Sequence, residues 1–342
     1  MHQLNELPAI GLTMGDAAGI GAEILAKAAQ KGELIKDAHP IIFGDLRLLK
    51  RGMEIAGADF PYTVVKDIET AVHTEGIVLI DSQRIDAYAV DMGKTSTVCG
   101  KEAAEDLRTI VGYSQQGWVE GVCFAPNDKT AIKNAGYPIT GMANLLALFY
   151  ECKGNYGEIN IAEGRFNARV ISHVPVKDIA ASLTTPAIIK TIRLGNSAAQ
   201  SFGIDIPRVA VAALNPHAGE NGTCGTEEID IILPAIEAVR SEGMNVTGPL
   251  AADTVFVQLF NDVYDVVITM YHDQGQIAFK LKDFDNGVTY YSGLPFPATT
   301  CAHGTAYGRA GKGRANPGSF IAAYRTVVKM AHVARKRKNE SR

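Results

Sequence analysis

Ala9-Ile10-Gly11-Leu12-Thr13-Met14-Gly15-Asp16-Ala17-Ala18-Gly19-Ile20-Gly21-Ala22-Glu23-Ile24-Leu25-Ala26-Lys27-Ala28-Ala29 passes from a short apolar run, through a glycine-containing turn, into a stretch of helical pattern. Residues 9–12 predict a strand and 22–29 a helix. Gly15, Gly19 and Gly21 permit a tight turn and close approach of backbone N–H groups to a ligand, and the helix N-terminus that follows favours an anion. The spacing is not the G-x-G-x-x-G of a Rossmann fingerprint, and a plain strand-to-helix turn accounts for the same residues equally well.

The same alternation continues outward. Apolar, β-rich runs at 39–43, 76–80, 121–124, 168–172, 208–213 and 263–270 predict strands, and residues 46–56, 100–116 and 227–241 predict helices. Most of these strands are nearly continuous apolar runs, as strands buried on both faces in a parallel sheet are, so the fold class is α/β. A chain of 342 residues exceeds the usual single core, which predicts two lobes with a cleft suited to a small molecule. Turn composition at Pro126-Asn127-Asp128-Lys129 and Ser292-Gly293-Leu294-Pro295 places the crossings there, giving one α/β domain from 1–130 plus 295–342 and a second from 131–294.

Composition excludes several function classes. With 33 basic and 37 acidic residues the formal charge is -4, too balanced for a polyanion-binding surface, so no nucleic-acid partner is expected. The basic run Arg335-Lys336-Arg337-Lys338 reads as a solvated tail. Cys99, Cys123, Cys152, Cys224 and Cys301 form no C-x-x-C pair and are odd in number, which fits free thiols in a reducing compartment. Met1-His2-Gln3-Leu4-Asn5-Glu6 lacks a leader pattern and no apolar run approaches a membrane span, so a cytoplasmic, membrane-free protein is expected.

Three histidines each end an apolar run: Ile171-Ser172-His173, Leu214-Asn215-Pro216-His217-Ala218-Gly219-Glu220 and Met270-Tyr271-His272-Asp273-Gln274-Gly275. Ligands given by separate strand ends build a catalytic metal site with three protein ligands and an open position. The separations match no short zinc signature, and any one of the three alone is more often a satisfied structural histidine, a reading that three in equivalent contexts weaken. Asp253 and Lys280 stand among polar residues able to move protons, though a carboxylate before Thr254 is also a helix N-cap and a lysine after Phe279 a snorkelling surface residue. In Ala302-His303-Gly304-Thr305-Ala306-Tyr307-Gly308-Arg309-Ala310-Gly311-Lys312-Gly313-Arg314-Ala315-Asn316-Pro317, small residues interleave with polar and basic ones. The result is a loop whose backbone can approach a flat, phosphate-bearing ligand, or else a solvated loop.

Taken in this order, these segments resemble the 4-hydroxythreonine-4-phosphate dehydrogenase family of vitamin B6 synthesis and its catabolic relatives, over nearly the whole chain. The most specific pieces are Thr13 to Gly21, Leu214 to Glu220, Gly248-Pro249 through Asp253-Thr254, and Met270 to Gly275. The 302–317 loop is similar to the adenine-side loop of isopropylmalate and isocitrate dehydrogenases, which implies that two-lobed α/β/α fold and a dinucleotide held without a Rossmann fingerprint. The resemblance implies His173, His217 and His272 as ligands of a divalent metal, zinc first and magnesium or manganese as alternatives. It further implies Lys280 and Asp253 as catalytic residues, His303, Gly304, Thr305, Ala306, Asn316, Gly19 and Ile20 around NAD or NADP, and a homodimer with a shared active site. The implied reaction is oxidation of the hydroxyl of a small hydroxy acid, with loss of carbon dioxide as an available second step.

The chain departs from the family at the substrate end. Gly141-Met142-Ala143-Asn144 stands where the B6 enzyme has Gly-His-Thr-Glu, Thr289 replaces a substrate-binding Asn, and Ala298 replaces an Arg. Alanine cannot supply the fork of a phosphate-binding arginine. Met142, Ala143, Thr289 and Ala298 therefore define an altered, more apolar substrate end, and an unphosphorylated ring carboxylate of the terephthalate dihydrodiol type is the alternative substrate. Two readings of another class are acyl transfer on the same fold and a non-catalytic paralogue.

Overall fold

The computed structural model describes residues 7–340; the leaderless reading of the first six residues falls outside them. From the N-terminus the chain forms β1 (Ala9–Thr13), α1 (Gly21–Gln30), β2 (His39–Gly44), α2 (Leu46–Ala56), β3 (Thr63–Val65), α3 (Ile68–His73), β4 (Val78–Asp81), α4 (Thr97–Gln115), β5 (Gly121–Phe124), α5 (Lys129–Asn134) and α6 (Met142–Phe149). It continues with β6 (Gly157–Ala162), β7 (Arg165–Ile171), α7 (Ile179–Ser182), α8 (Thr185–Ser201), β8 (Val209–Ala212), α9 (Leu233–Ser241), β9 (Val246–Leu250), α10 (Ala252–Phe260), β10 (Val266–Tyr271), α11 (His272–Lys282) and β11 (Val288–Ser292). It closes with β12 (Ala298–Cys301) and α12 (Gly318–Glu340). Two compact units result: residues up to Lys153 with those from Leu294 onward, and Gly154–Gly293.

In the first unit the strand order is β3-β4-β2-β1-β5-β12, parallel throughout. β1 and β5 are buried at every position, as their apolar runs require. α5 and α6 pack on α4, so the first crossing lies after Lys153 and not at Pro126-Asn127-Asp128-Lys129. The second falls at Gly293, inside the turn at Ser292-Gly293-Leu294-Pro295. The basic run at Arg335 is not a loose tail. It lies in α12, with the Arg335 guanidinium on both carboxylate oxygens of Glu120.

The second unit has the order β11-β6-β7-β10-β8-β9. β7, β10, β8 and β9 run parallel, while β6 joins β7 and β11 antiparallel. One side of its core is Val255, Phe256 and Leu259 of α10 and Phe279 of α11, packed with Ala210, Ala212 and Val267.

Candidate functional site

β10 lies between β7 and β8, and all three run the same way, so their C-terminal ends lie side by side at a strand spacing of about 4.8 Å. Those ends carry the three histidines: His173 two residues past β7, His272 at the first residue of α11 after β10, and His217 in the turn after β8. The ring centroids of His173 and His272 are 6.0 Å apart. An imidazole bound through nitrogen at about 2.1 Å holds its centroid about 3.2 Å from the ion, so two rings sharing an ion stand up to about 6.4 Å apart. Among the described residues no three His, Cys, Asp or Glu side chains already converge on one point.

The turn is unusual in its backbone. His217, Ala218, Gly219, Glu220 and Asn221 all have left-handed dihedrals, φ 44 to 77°, a conformation that costs non-glycine residues about 1 kcal/mol or more each and persists only when the surroundings enforce it. Glu228 braces the segment that leads into the turn. Its buried carboxylate accepts the N–H groups of Leu214 and Asn215 at 2.8 Å each and the Asn215 side-chain amide at 2.9 Å. Gln274 ties two strand ends together, accepting from the Met270 N–H and donating to the Ala213 carbonyl, both at 2.7 Å. At Gly275 α11 comes so close to β7 that a Cβ would lie 2.2 Å from Asn167 Oδ1.

The carboxylates beside the rings set which nitrogen faces out. His217 Nδ1 lies 2.7 Å from Glu220 Oε1 and His272 Nδ1 2.7 Å from Asp273 Oδ1, which leaves Nε2 of each ring for a ligand. The Glu220 hydrogen bond, with a smaller contribution from the charge of Asp253, holds the His217 pKa above its ordinary value. Behind His173, the Arg169 guanidinium reaches Ser172 Oγ at 3.0 Å, Asn160 Oδ1 at 2.6 Å and Glu158 Oε2 at 2.8 Å. Asp253 is exposed in the first turn of α10, where Ala251 occupies the cap position, so the N-cap reading of Asp253 does not hold. Lys280 is exposed near the C-terminal end of α11, about two turns from His272.

The residues expected around a dinucleotide all lie in the first unit. The Ile20 N–H donates to the Thr305 carbonyl at 3.2 Å, and a Cβ on Gly19 would stand 3.1 Å from Thr305 Cβ, so the turn after β1 and the loop after β12 touch directly. Tyr307 locks them, its hydroxyl lying 2.8 Å from Asp16 Oδ2 and 2.9 Å from Asp128 Oδ2. Burial raises the Asp16 pKa despite its hydrogen bonds. Glu23 of α1 accepts from the Ala315 N–H, and Lys27 donates to the carbonyls of Gly313 and Ala315. Gly304 and Gly308 face open space, with nothing within 4 Å of a built Cβ, while Ala306 is left-handed and His303 exposed. Asn316 caps α12 through the Gly318 N–H. Of the positions expected at the substrate, in the first unit Met142 and Ala298 are core side chains and Ala143 is half-buried; in the second, Thr289 is buried in β11 opposite Asn160.

Sequence alone did not single out Glu228, Gln274 as a tie, Arg169 or Tyr307. The available signal was a polar side chain within a few residues of each flagged motif, which is too common to select one.

The pyridoxal phosphate biosynthetic protein PdxA family matches residues 36–327. A Rhizobium meliloti protein that bears, provisionally, the name 4-hydroxythreonine-4-phosphate dehydrogenase 2 is 41% identical over 95% of this chain and 93% of its own. The crystal structure of 4-hydroxythreonine-4-phosphate dehydrogenase from Klebsiella pneumoniae superposes with a TM-score of 0.84 at 32% identity, covering 95% of this chain and 98% of that one. A terephthalate 1,2-cis-dihydrodiol dehydrogenase from Burkholderia xenovorans LB400 covers the same shares at a TM-score of 0.64 and 26% identity, so the ring-carboxylate alternative is not the favoured one. These relatives are named as dehydrogenases, which also leaves the acyl-transfer reading without support. The chain belongs to the PdxA family of pyridoxal phosphate biosynthetic proteins and is an α/β dehydrogenase of that family.

Proposed function

We propose that this protein is a divalent-metal- and NAD(P)-dependent dehydrogenase that oxidises the hydroxyl of a small, phosphate-bearing hydroxy acid. The observation that carries the reading is the placement of His173, His272 and His217 at the ends of adjacent parallel strands, two of them with Nδ1 already tied to a carboxylate. That donor set fits a zinc-type ion in kind, with Nε2 of His217 and His272 as ligating atoms and Glu220 and Asp273 orienting the rings. The 302–316 loop, with open faces at Gly304 and Gly308, fits a dinucleotide. When bound, these groups supply Lewis-acid polarisation of the substrate hydroxyl and acceptance of its hydride.

The chain's own residues do the rest. Gln274 and Glu228 fix the strand ends that carry two of the histidines, and Arg169 steadies Ser172 beside the third. Lys280 Nζ or the Asp253 carboxylate takes the hydroxyl proton, Asp253 being close enough to act on His217 through its charge. Of the altered positions, half-buried Ala143 is the one open to a substrate, while the buried Met142, Thr289 and Ala298 act through packing.

A homodimer fits α11. Gly275 and Phe279 face the core, yet Ile277 (61% exposed) and Leu281 (84%), with Phe284 (73%) just beyond, form a second apolar strip on the helix that begins at His272. Five scattered thiols, with burial pushing Cys123 and Cys301 well above the ordinary range, fit a cytoplasmic protein. Among the described residues no helix is long and apolar enough to cross a membrane.

The test is a hydroxy-acid screen followed at the nicotinamide absorbance, with 4-hydroxythreonine 4-phosphate included and zinc, magnesium and manganese added separately to chelated protein. Turnover that chelation abolishes, a metal restores and His217→Ala lowers by at least about a hundredfold fits the reading. Metal-independent turnover, or none with any hydroxy acid, sinks it.

A further inference from the structure

Between residues 302 and 316 there is no Asp or Glu, but there are Arg309, Lys312 and Arg314, all exposed. A dinucleotide whose adenine ribose carries a free 2′-hydroxyl is recognised by a carboxylate that accepts from it, whereas a 2′-phosphate is recognised by arginine. Among the described residues, the carboxylates that hydrogen-bond to the loop are engaged with its own groups. Asp16 and Asp128 share the Tyr307 hydroxyl, and Glu23 is buried with its Oε1 taken by Lys27 and the Ala315 N–H. Two more stand near neighbouring backbone: Glu54 accepts from Tyr88 and Asp91 pairs with Lys94. Lys312 folds back onto the Gly308 carbonyl at 2.6 Å, so the two arginines are the cations presented outward.

The loop is also held firmly enough to read one cofactor against another. Lys27 grips it at Gly313 and Ala315, Tyr307 pins its start to Asp16 and Asp128, and at Gly313 a Cβ would stand 2.8 Å from the Ile55 carbonyl. Arg309 closes the short helical turn Tyr307–Arg309, and Arg314 follows Gly313 immediately, so both sit at backbone fixed by these contacts.

We propose that Arg309 and Arg314 read a 2′-phosphate and make this chain selective for NADP over NAD. The proposal rests on the reading that the 302–316 loop holds a dinucleotide.

The experiment is direct binding without substrate or turnover. NADPH and NADH are titrated separately into the purified full chain, following nicotinamide fluorescence, for the wild type and for Arg309→Ala, Arg314→Ala and the double variant. The expected result is an NADPH dissociation constant at least about tenfold below that of NADH, since a charge-assisted contact is worth that factor or more. The double variant erases the difference by weakening NADPH, while NADH moves less than about twofold, and added salt narrows the wild-type gap. NADH binding as tightly as NADPH, or variants that weaken both alike, overturns the selectivity. Failure of both nucleotides to bind a chain whose melting curve is intact overturns the cofactor reading beneath it.

Discussion

Glu228 is buried at the start of a π-helical turn, Glu228–Ile232, and accepts two backbone N–H groups and an amide from the segment that leads into His217. Its removal strands buried donors, each of which costs about 1–3 kcal/mol when left unmade. Glu228→Ala is therefore expected to lower unfolding stability by about 2–4 kcal/mol in a urea titration with unchanged slope, and to lose more metal affinity than Glu228→Gln. Equal stability of Glu228→Ala and wild type would show that the left-handed turn holds itself. No local rule foretold that turn. Gly219, Asn221 and His217 tolerate positive φ, but Ala218 and Glu220 do not favour it, so the sequence shows the histidine and hides the backbone that aims it.

Within α4 a different buried pair sets a pH response. Glu102 and Asp106, one turn apart, are both buried, and Glu102 Oε2 has no hydrogen-bond partner. Burial raises Glu102 well above its ordinary value and Asp106 to about 6, against the opposing pull of Arg84, 2.6 Å from Asp106 Oδ1. A carboxyl whose folded pKa is raised binds its proton more tightly in the native state. It supports the fold fully below its unfolded value near 4 and loses that support as pH rises through about 6 and beyond. Melting temperature is thus expected to fall as pH rises from about 4 through about 6 and beyond in the wild type, and Glu102→Gln to flatten the fall and melt higher above about pH 6. A variant that melts lower at every pH would refute this. At this scale legibility follows the continuity of the apolar run. β1, β2 and β5 are continuous apolar runs and declared themselves, whereas β6 alternates Glu158 and Asn160 with Ile159 and Ile161 to serve Arg169, and its antiparallel partner β11 gave no matching signal.

The exposed strip of α11 belongs to the molecule as a whole. Leu281→Glu removes an apolar side chain that is 84% exposed, so the isolated chain is expected to keep its stability within about 0.5 kcal/mol, while light scattering reports half the wild-type mass. A wild type that is already monomeric ends the dimer reading. Contacts across great sequence distance were the least legible feature: Tyr307 meets Asp16 at a separation of 291 residues, and each residue by itself looks ordinary. That same connectivity fixes an order of events during synthesis. β5 pairs with β1 on one side and β12 on the other, and β12 leaves the ribosome only after Gly154–Gly293 has been made. At about 5–20 residues per second those 140 residues (293 − 154 + 1) take on the order of ten seconds, during which the nascent chain carries an open, fully apolar strand edge. The inserted unit can finish folding first, and the first sheet is complete only once β12 has been made.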